Sequence, residues 1–401
     1  MAAIRSFRAL RPARDAAAAV SSVPYDVVST EEARQLAAGN PLSFLHVTRS
    51  EIDLPPGTDP YSAPVYAQAK EQFASLRASA PLVTEDEPSL YFYRLRMGGH
   101  EQTGIAACFS VDEYEHDVIK KHERTRRDKE DDRTRHIVEL RAQTGVVFLT
   151  YRPSDAIDRL CRAVTADAPL YDFRADDGVH HTIWKVKGRE ATEIVDAFAN
   201  VPALYIADGH HRAASAARAR TETRSPEADT FIAVAFPSNQ MHILPYNRTV
   251  KDLAGQTPAQ FLEALRVRVP VCDGAATPRR KGEVSMFLDG NWYALDLSAA
   301  PPADPSRASS LDVARLQHHL LEPLLKIGDV RTDKRIDFVG GARGTSALES
   351  AVNGGKAAVA FSMHPVTIDD LMAISDEGGI MPPKSTWIEP KLRDGLLIHT
   401  I

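Results

Sequence analysis

The sequence predicts a mixed α/β fold of the α+β kind, and three observations carry that expectation. Short apolar runs bounded by turn residues recur along the chain, as in Ser89–Arg96, Gly145–Tyr151 and Phe231–Phe236. Between them lie segments with apolar residues at helical spacing, such as Tyr66–Leu76 and Ala191–Ala199. The two kinds alternate for most of the length, which excludes an all-helical bundle. At roughly 150 residues per domain, 401 residues suggest two or three units. We divide the chain into an α/β region over residues 1–250 and a further α/β region over residues 251–401.

Taken in order, Ile4, Phe7 and Leu10 fit a first buried element. Their arginine-rich surroundings mimic a transit peptide but lack a hydrophobic signal core. A helix is expected over Thr30–Ala38, capped by Ser29 or Thr30 with Glu32 in its first turn. The proline-rich stretch 40–64 reads as loop. Two strands, Ser89–Arg96 and Gly104–Val111, flank the turn at Gly98-Gly99. A strand to Tyr151, a helix from about Ser154, a strand over Thr182–Val186 and a helix over Ala191–Ala199 follow. Ala203–Ala207 is again strand-like, Ala213–Arg220 an alanine-rich helix, and Phe231–Phe236 a strand. Beyond these come a helix over Pro258–Val267, a hairpin over Glu283–Leu297 turning at Asp289-Gly290-Asn291, and an apolar helix over Leu311–Leu325.

Composition narrows the function. An apolar share of 43% and a charged share of 25% are those of an ordinary globular protein. A net charge of −6 disfavours a nucleic-acid binder that works by neutralising phosphates. The three cysteines lie far apart without a CxxC pair, which argues against a disulfide scaffold and points to a reducing, cytoplasmic setting. No run approaches the roughly 20 apolar residues that span a bilayer.

Residues 113–136 hold eight acids and eight Lys or Arg, and no aliphatic or aromatic side chain lies between Ile119 and Ile137. On a helix, His122, Arg126, Lys129, Arg133 and His136 would share one face, with Glu123 and Glu130 at its edge. Such a stripe suits a phosphate-bearing ligand with a carboxylate at hand to take a proton. From composition alone, a solvated helix or loop laced with ion pairs is the favoured explanation.

The strongest local signal is Leu204–Ala207 followed by Asp208-Gly209-His210-His211-Arg212 and a run of alanines. A strand ends, glycine turns the chain and a helix begins, so free amides and the positive end of the helix dipole face one spot. Gly209, His210, His211 and Arg212 are therefore candidate anion ligands, and Asp208 either caps the helix or acts on the substrate. Adjacent histidines diverge on a helix, so metal ligands stay unassigned. Gly378 to Thr386 mimics a P-loop, but Pro383 stands where a glycine amide is required. No G-x-S-x-G elbow occurs.

Six segments in order resemble, over nearly the whole chain, the domain-of-unknown-function 1015 family. They are Phe7–Pro12, Pro24–Ser29, Asn40–Val47, His122–Arg133, Ala207–Arg212 and Met381–Trp387. Asp208–Arg212 with Ala214 is also similar to the nucleotide-contacting box of the ParB/sulfiredoxin-like superfamily, in the form its free-serine kinases carry. That resemblance implies a ParB/sulfiredoxin-like core in which Gly209, His210, His211 and Arg212 meet phosphates. It further implies that an upstream glutamate, here Glu123, takes the serine proton.

The implied activity is phosphoryl transfer from ATP or ADP, with Mg²⁺, to free L-serine or a similar hydroxy acid. Arg126, Lys129 and Arg133 would neutralise the transferring group, and Glu123 or Asp208 would be the base. His122, His181 and Lys384 are further candidates. A phosphoserine hydrolase and a non-enzymatic ParB-like nucleotide or DNA binder are the alternatives. The partners are a small-molecule substrate and a nucleotide, with no membrane, and a homodimer is compatible with this reading.

Overall fold

Ser29 starts the first long helix as its side chain dictates. In the computed structural model, which describes residues 2–79 and 82–401, α1 spans Thr30–Ala37. Ser29 Oγ accepts from the Glu32 amide, and the Glu32 carboxylate accepts from the Ser29 amide at 2.8 Å. Helices α2 (Ala63–Ser79), α3 (Arg127–Leu140), α4 (Asp155–Val164), α5 (Gly188–Phe198) and α6 (His210–Thr223) follow in the same unit.

These helices accompany a nine-stranded mixed sheet. Its strands are β1 (Ile4–Arg5), β2 (Leu90–Met97), β3 (His100–Ser110), β4 (Ile119–Lys120), β5 (Val147–Tyr151), β6 (Tyr171–Arg174), β7 (His180–Val186), β8 (Leu204–Asp208) and β9 (Thr230–Pro237). The order is β4-β8-β5-β9-β3-β2-β7-β6, with β1 beside β3. Strands β5 and β9 are buried throughout, which explains their unbroken apolar runs. One core cluster joins Phe92, Phe109, Leu149, Ile206 and Phe231 of the sheet to Ile157, Phe198 and Ala213 of α4, α5 and α6. A second joins Leu10, Phe44, Phe73 of α2, Leu140 of α3 and Ile398.

The mixed-charge block departs from its expected shape. Helix α3 begins only at Arg127, so His122 and Arg126 precede it, and just Lys129, Arg133 and His136 of the five-residue stripe are helical. Up to His136 the helix has no apolar side chain to bury, and polar pairs hold that part in place before Ile137 and Leu140 enter the interior. Tyr66 Oη donates to Asp132 at 2.7 Å, Arg133 Nε donates to Asp132 at 2.8 Å, and His136 Nε2 lies 3.0 Å from the Val47 carbonyl.

The chain divides into Met1–Met241 with Pro390–Ile401, and His242–Glu389. This places the division at 241/242 rather than 250/251. Residues 390–401 return to the first unit because their backbone pairs there: Ser22 with Asp394, Leu10 with Ile398, and Gln143 with His399.

The second unit carries its own six-stranded sheet. The strands are β10 (Tyr246–Val250), β11 (Val271–Asp273), β12 (Glu283–Leu288), β13 (Asn291–Asp296), β14 (Ile336–Gly340) and β15 (Val359–Ser362), in the order β11-β13-β12-β15-β10-β14. The β12–β13 hairpin turns at Asp289-Gly290 as expected. The single helix anticipated over Leu311–Leu325 is instead a short helix, Asp312–Leu316, running into a wider turn over Gln317–Leu321. All three cysteines are free thiols. No helix among the described residues is long and apolar enough to cross a membrane.

Candidate functional site

Strand β8 delivers the Asp-Gly-His-His-Arg box. Ile206 pairs with Leu149 and Asp208 with Phe148, so Ala207 is an extra residue and the strand bulges just before its end. Gly209 then takes φ +92° and α6 starts at His210. A Cβ on Gly209 would lie 3.3 Å from Arg212 Cδ and 3.5 Å from Val147 Cα, so both the backbone angle and the packing call for glycine. The amides of Arg212 and Ala213 donate to the Gly209 carbonyl. Those of His210 and His211, the first two of the helix, have no carbonyl a turn earlier.

A long-range strand pairing brings the charged segment to this turn. Strand β4 runs parallel to β8, with Ile119 opposite Leu204 and Lys120 opposite Tyr205. Continued two or three residues further, that register carries His122 and Glu123 alongside the end of β8. There the His122 amide donates to His210 Nε2 at 3.4 Å, and the two rings meet edge to face with centroids 4.4 Å apart. Glu123 Oε2 stands 3.9 Å from His210 Nδ1. The next turn of chain adds the Arg126 amide, which donates to His211 Nε2 at 3.0 Å.

Electrostatics divides the site into neutral and ionised groups. Burial draws the His122 imidazole down to about 4 and takes His210 well below its ordinary value, helped by the ring of His122. Both imidazoles are neutral near pH 7. Burial alone would raise the Asp208 carboxyl, but Lys391, whose Nζ lies 3.0 Å away, and Arg212 hold it well below the carboxylate range. Asp208 is thus an ionised carboxylate locked to a lysine. Burial also lowers His211, against the pull of Asp26 and Glu130 and with that of Lys129 and Arg126.

Two of the expected phosphate ligands turn away from the helix start. Arg212 is buried, with Nη1 donating to the Val146 carbonyl at 2.7 Å and Nη2 to Asp26 at 2.6 Å. Its guanidinium anchors the Tyr25–Asp26 segment instead of facing solvent. Arg133 likewise stacks over Tyr25 at 4.2 Å and pairs with Asp132, which corrects its placement beside a transferring phosphate. Lys129 lies against Tyr61, whose hydroxyl accepts from its ammonium, and the exposed Arg126 guanidinium pairs with Asp128. These two cations remain at the outer edge near His211.

The further candidates fare differently. His122 belongs to the site. His181 lies on β7, five strands along the sheet from β8, with Nδ1 2.8 Å from Tyr93 Oη. Lys384 belongs to the second unit, where its backbone has φ +57° and its ammonium lies over the Tyr246 ring. Sequence reasoning missed Lys391, Asp26 and Asp394. Asp26 sits in the quoted Pro24–Ser29 segment, which marked it without revealing its partner.

A family model described as Protein of unknown function (DUF1015) matches residues 4–314. The chain belongs to that family. No curated protein matches this DUF1015 chain. Among solved structures it is similar to SbnI with C-terminal truncation from Staphylococcus aureus, at 12% identity, covering 72% of this chain and 85% of that one with a TM-score of 0.39. A conserved hypothetical protein from Pyrococcus furiosus is 12% identical over 73% of this chain and 94% of its own, with a TM-score of 0.38. A free serine kinase in complex with AMP is 12% identical over 73% and 91%, with a TM-score of 0.37.

Proposed function

We propose that this protein transfers a phosphoryl group from ATP or ADP to the hydroxyl of free L-serine, giving O-phosphoserine. The observation that carries the proposal is the Glu123 carboxylate standing 3.9 Å from the first histidine of a glycine-initiated helix. A proton acceptor and an anion-binding helix start are thereby side by side. The box itself supplies the resemblance to free-serine kinases.

The amides of His210 and His211 would hold phosphate oxygens at the positive end of α6, with Lys129 and the Arg126 backbone region closing the edge. The serine oxygen attacks phosphorus, the bond to the departing nucleotide oxygen breaks, and Glu123 takes the hydroxyl proton. Mg²⁺ carried on the nucleotide would neutralise phosphate charge. Asp208, tied to Lys391, positions the turn and leaves the proton transfer to Glu123.

The test is serine-dependent formation of ADP or AMP by wild-type protein and by Glu123→Gln. We expect turnover to fall at least about 100-fold while nucleotide affinity stays within about twofold. Wild-type turnover by the variant removes Glu123 from its role. Phosphate release from O-phosphoserine without nucleotide would assign a hydrolase instead. Nucleotide binding without transfer would assign a binding module.

A further inference from the structure

Beside the helix start lies a second potential ligand set. One donor atom each from His122, Glu123 and His210 gathers so that all three lie within 4.8 Å of one another. His122 is 2% exposed, and its Nδ1 has no hydrogen-bond partner. An orphaned buried nitrogen is costly and calls for a partner. His210, equally sequestered, turns Nδ1 toward Glu123.

We propose that His122, Glu123 and His210 form a binding site for one divalent first-row transition-metal ion. Two imidazoles and one carboxylate are the donors such ions accept, with a fourth position left for solvent or an anion, whereas Mg²⁺ prefers an all-oxygen shell. Bonds of about 2.0–2.2 Å require the donor atoms to draw together by roughly 1 Å. Glu123, whose side chain is 45% exposed, has the freedom to make that movement. Taking the ion at Nδ1 requires His210 to carry its proton on Nε2 and give up the bond from the His122 amide.

This site stands on the trio's geometry and goes beyond the transfer reaction above. An ion on Glu123 draws charge from the carboxylate that would accept the serine proton, so ion binding and proton transfer oppose each other. The ion is then an inhibitor of the transfer.

The test is equilibrium dialysis of the chelator-stripped full chain against Zn²⁺ without nucleotide. One Zn²⁺ per chain is expected for wild type and for Cys272→Ser, which removes the exposed thiol, and at least about tenfold weaker binding for Glu123→Ala. X-ray absorption at the zinc edge should show two imidazole ligands. No stoichiometric uptake by wild type, undiminished uptake by Glu123→Ala, or fewer than two imidazoles overturns the site. Serine-dependent ADP or AMP formation by the same zinc-free chain with Mg²⁺ and nucleotide reports separately on the transfer reaction, so the two failures are distinguishable.

Discussion

Arg212 and Asp26 lie 186 positions apart in sequence and meet at 2.6 Å. The pair ties the first turn of α6 to the segment before α1, and the Tyr25 ring lies beneath the same guanidinium at 5.7 Å. Replacing Arg212 by Ala leaves Asp26 without its partner and an empty site where Val146 was satisfied. Asp26 keeps about a third of its side chain in water (37% exposed), so we expect a loss of about 1–3 kcal/mol in urea unfolding, between the exposed and buried limits. An unchanged unfolding midpoint would show that the pair contributes nothing.

Gly209→Ala probes the turn itself. At φ +92° a side chain costs about 1–2 kcal/mol, and the new methyl crowds Arg212 Cδ. The variant should unfold at lower urea concentration and bind ADP more weakly, because the two leading amides shift. Wild-type affinity in a folded variant would remove those amides from phosphate binding.

Residues 390–401 are predicted to be indispensable to the first unit. Lys391→Ala frees a partly buried Asp208 carboxylate and should cost roughly 1–3 kcal/mol, between the exposed and buried limits. A chain ending at Glu389 also loses the pairing at Ser22, Leu10 and Gln143. Its near-ultraviolet circular dichroism should collapse. Retention of a native spectrum would contradict the division of units.

Stability should respond to pH through groups of opposite sign. Burial pushes the Asp394 carboxyl up to about 7, so the folded chain keeps a proton that the unfolded chain releases near 4. Its contribution is present at low pH and is lost as pH rises through about 7. Burial draws His136 and His181 down to about 4 and about 3. Their contribution is present above about 6.5 and is lost as pH falls toward those values. Asp394→Asn removes the first group alone, so the variant should gain on wild type by a few kcal/mol, on the order of its pKa displacement, as pH rises from about 4 to about 7. Parallel profiles for the two proteins would refute the assignment.

Much of the local structure is legible because its causes are local. Ser29 with Glu32, the Gly98-Gly99 turn, Asp289-Gly290 and the strand–Gly209–helix transition all act within a few residues. Period alone misleads at His122 and Arg126, since an even charge spacing without an apolar stripe does not hold a helix there. What places Glu123 beside His210 is the parallel pairing of β4 with β8, a contact across some 85 residues that no spacing rule reaches. The inward turn of Arg212 and the arrival of Lys391 depend on burial and on chain return, which local sequence does not encode.

That return has a consequence for biosynthesis. A ribosome making this chain must finish all of residues 242–389 before it supplies the strand partners of Leu10, Ser22 and Gln143. The first-made portion therefore waits, incomplete and with its edge groups exposed, until later translation closes it.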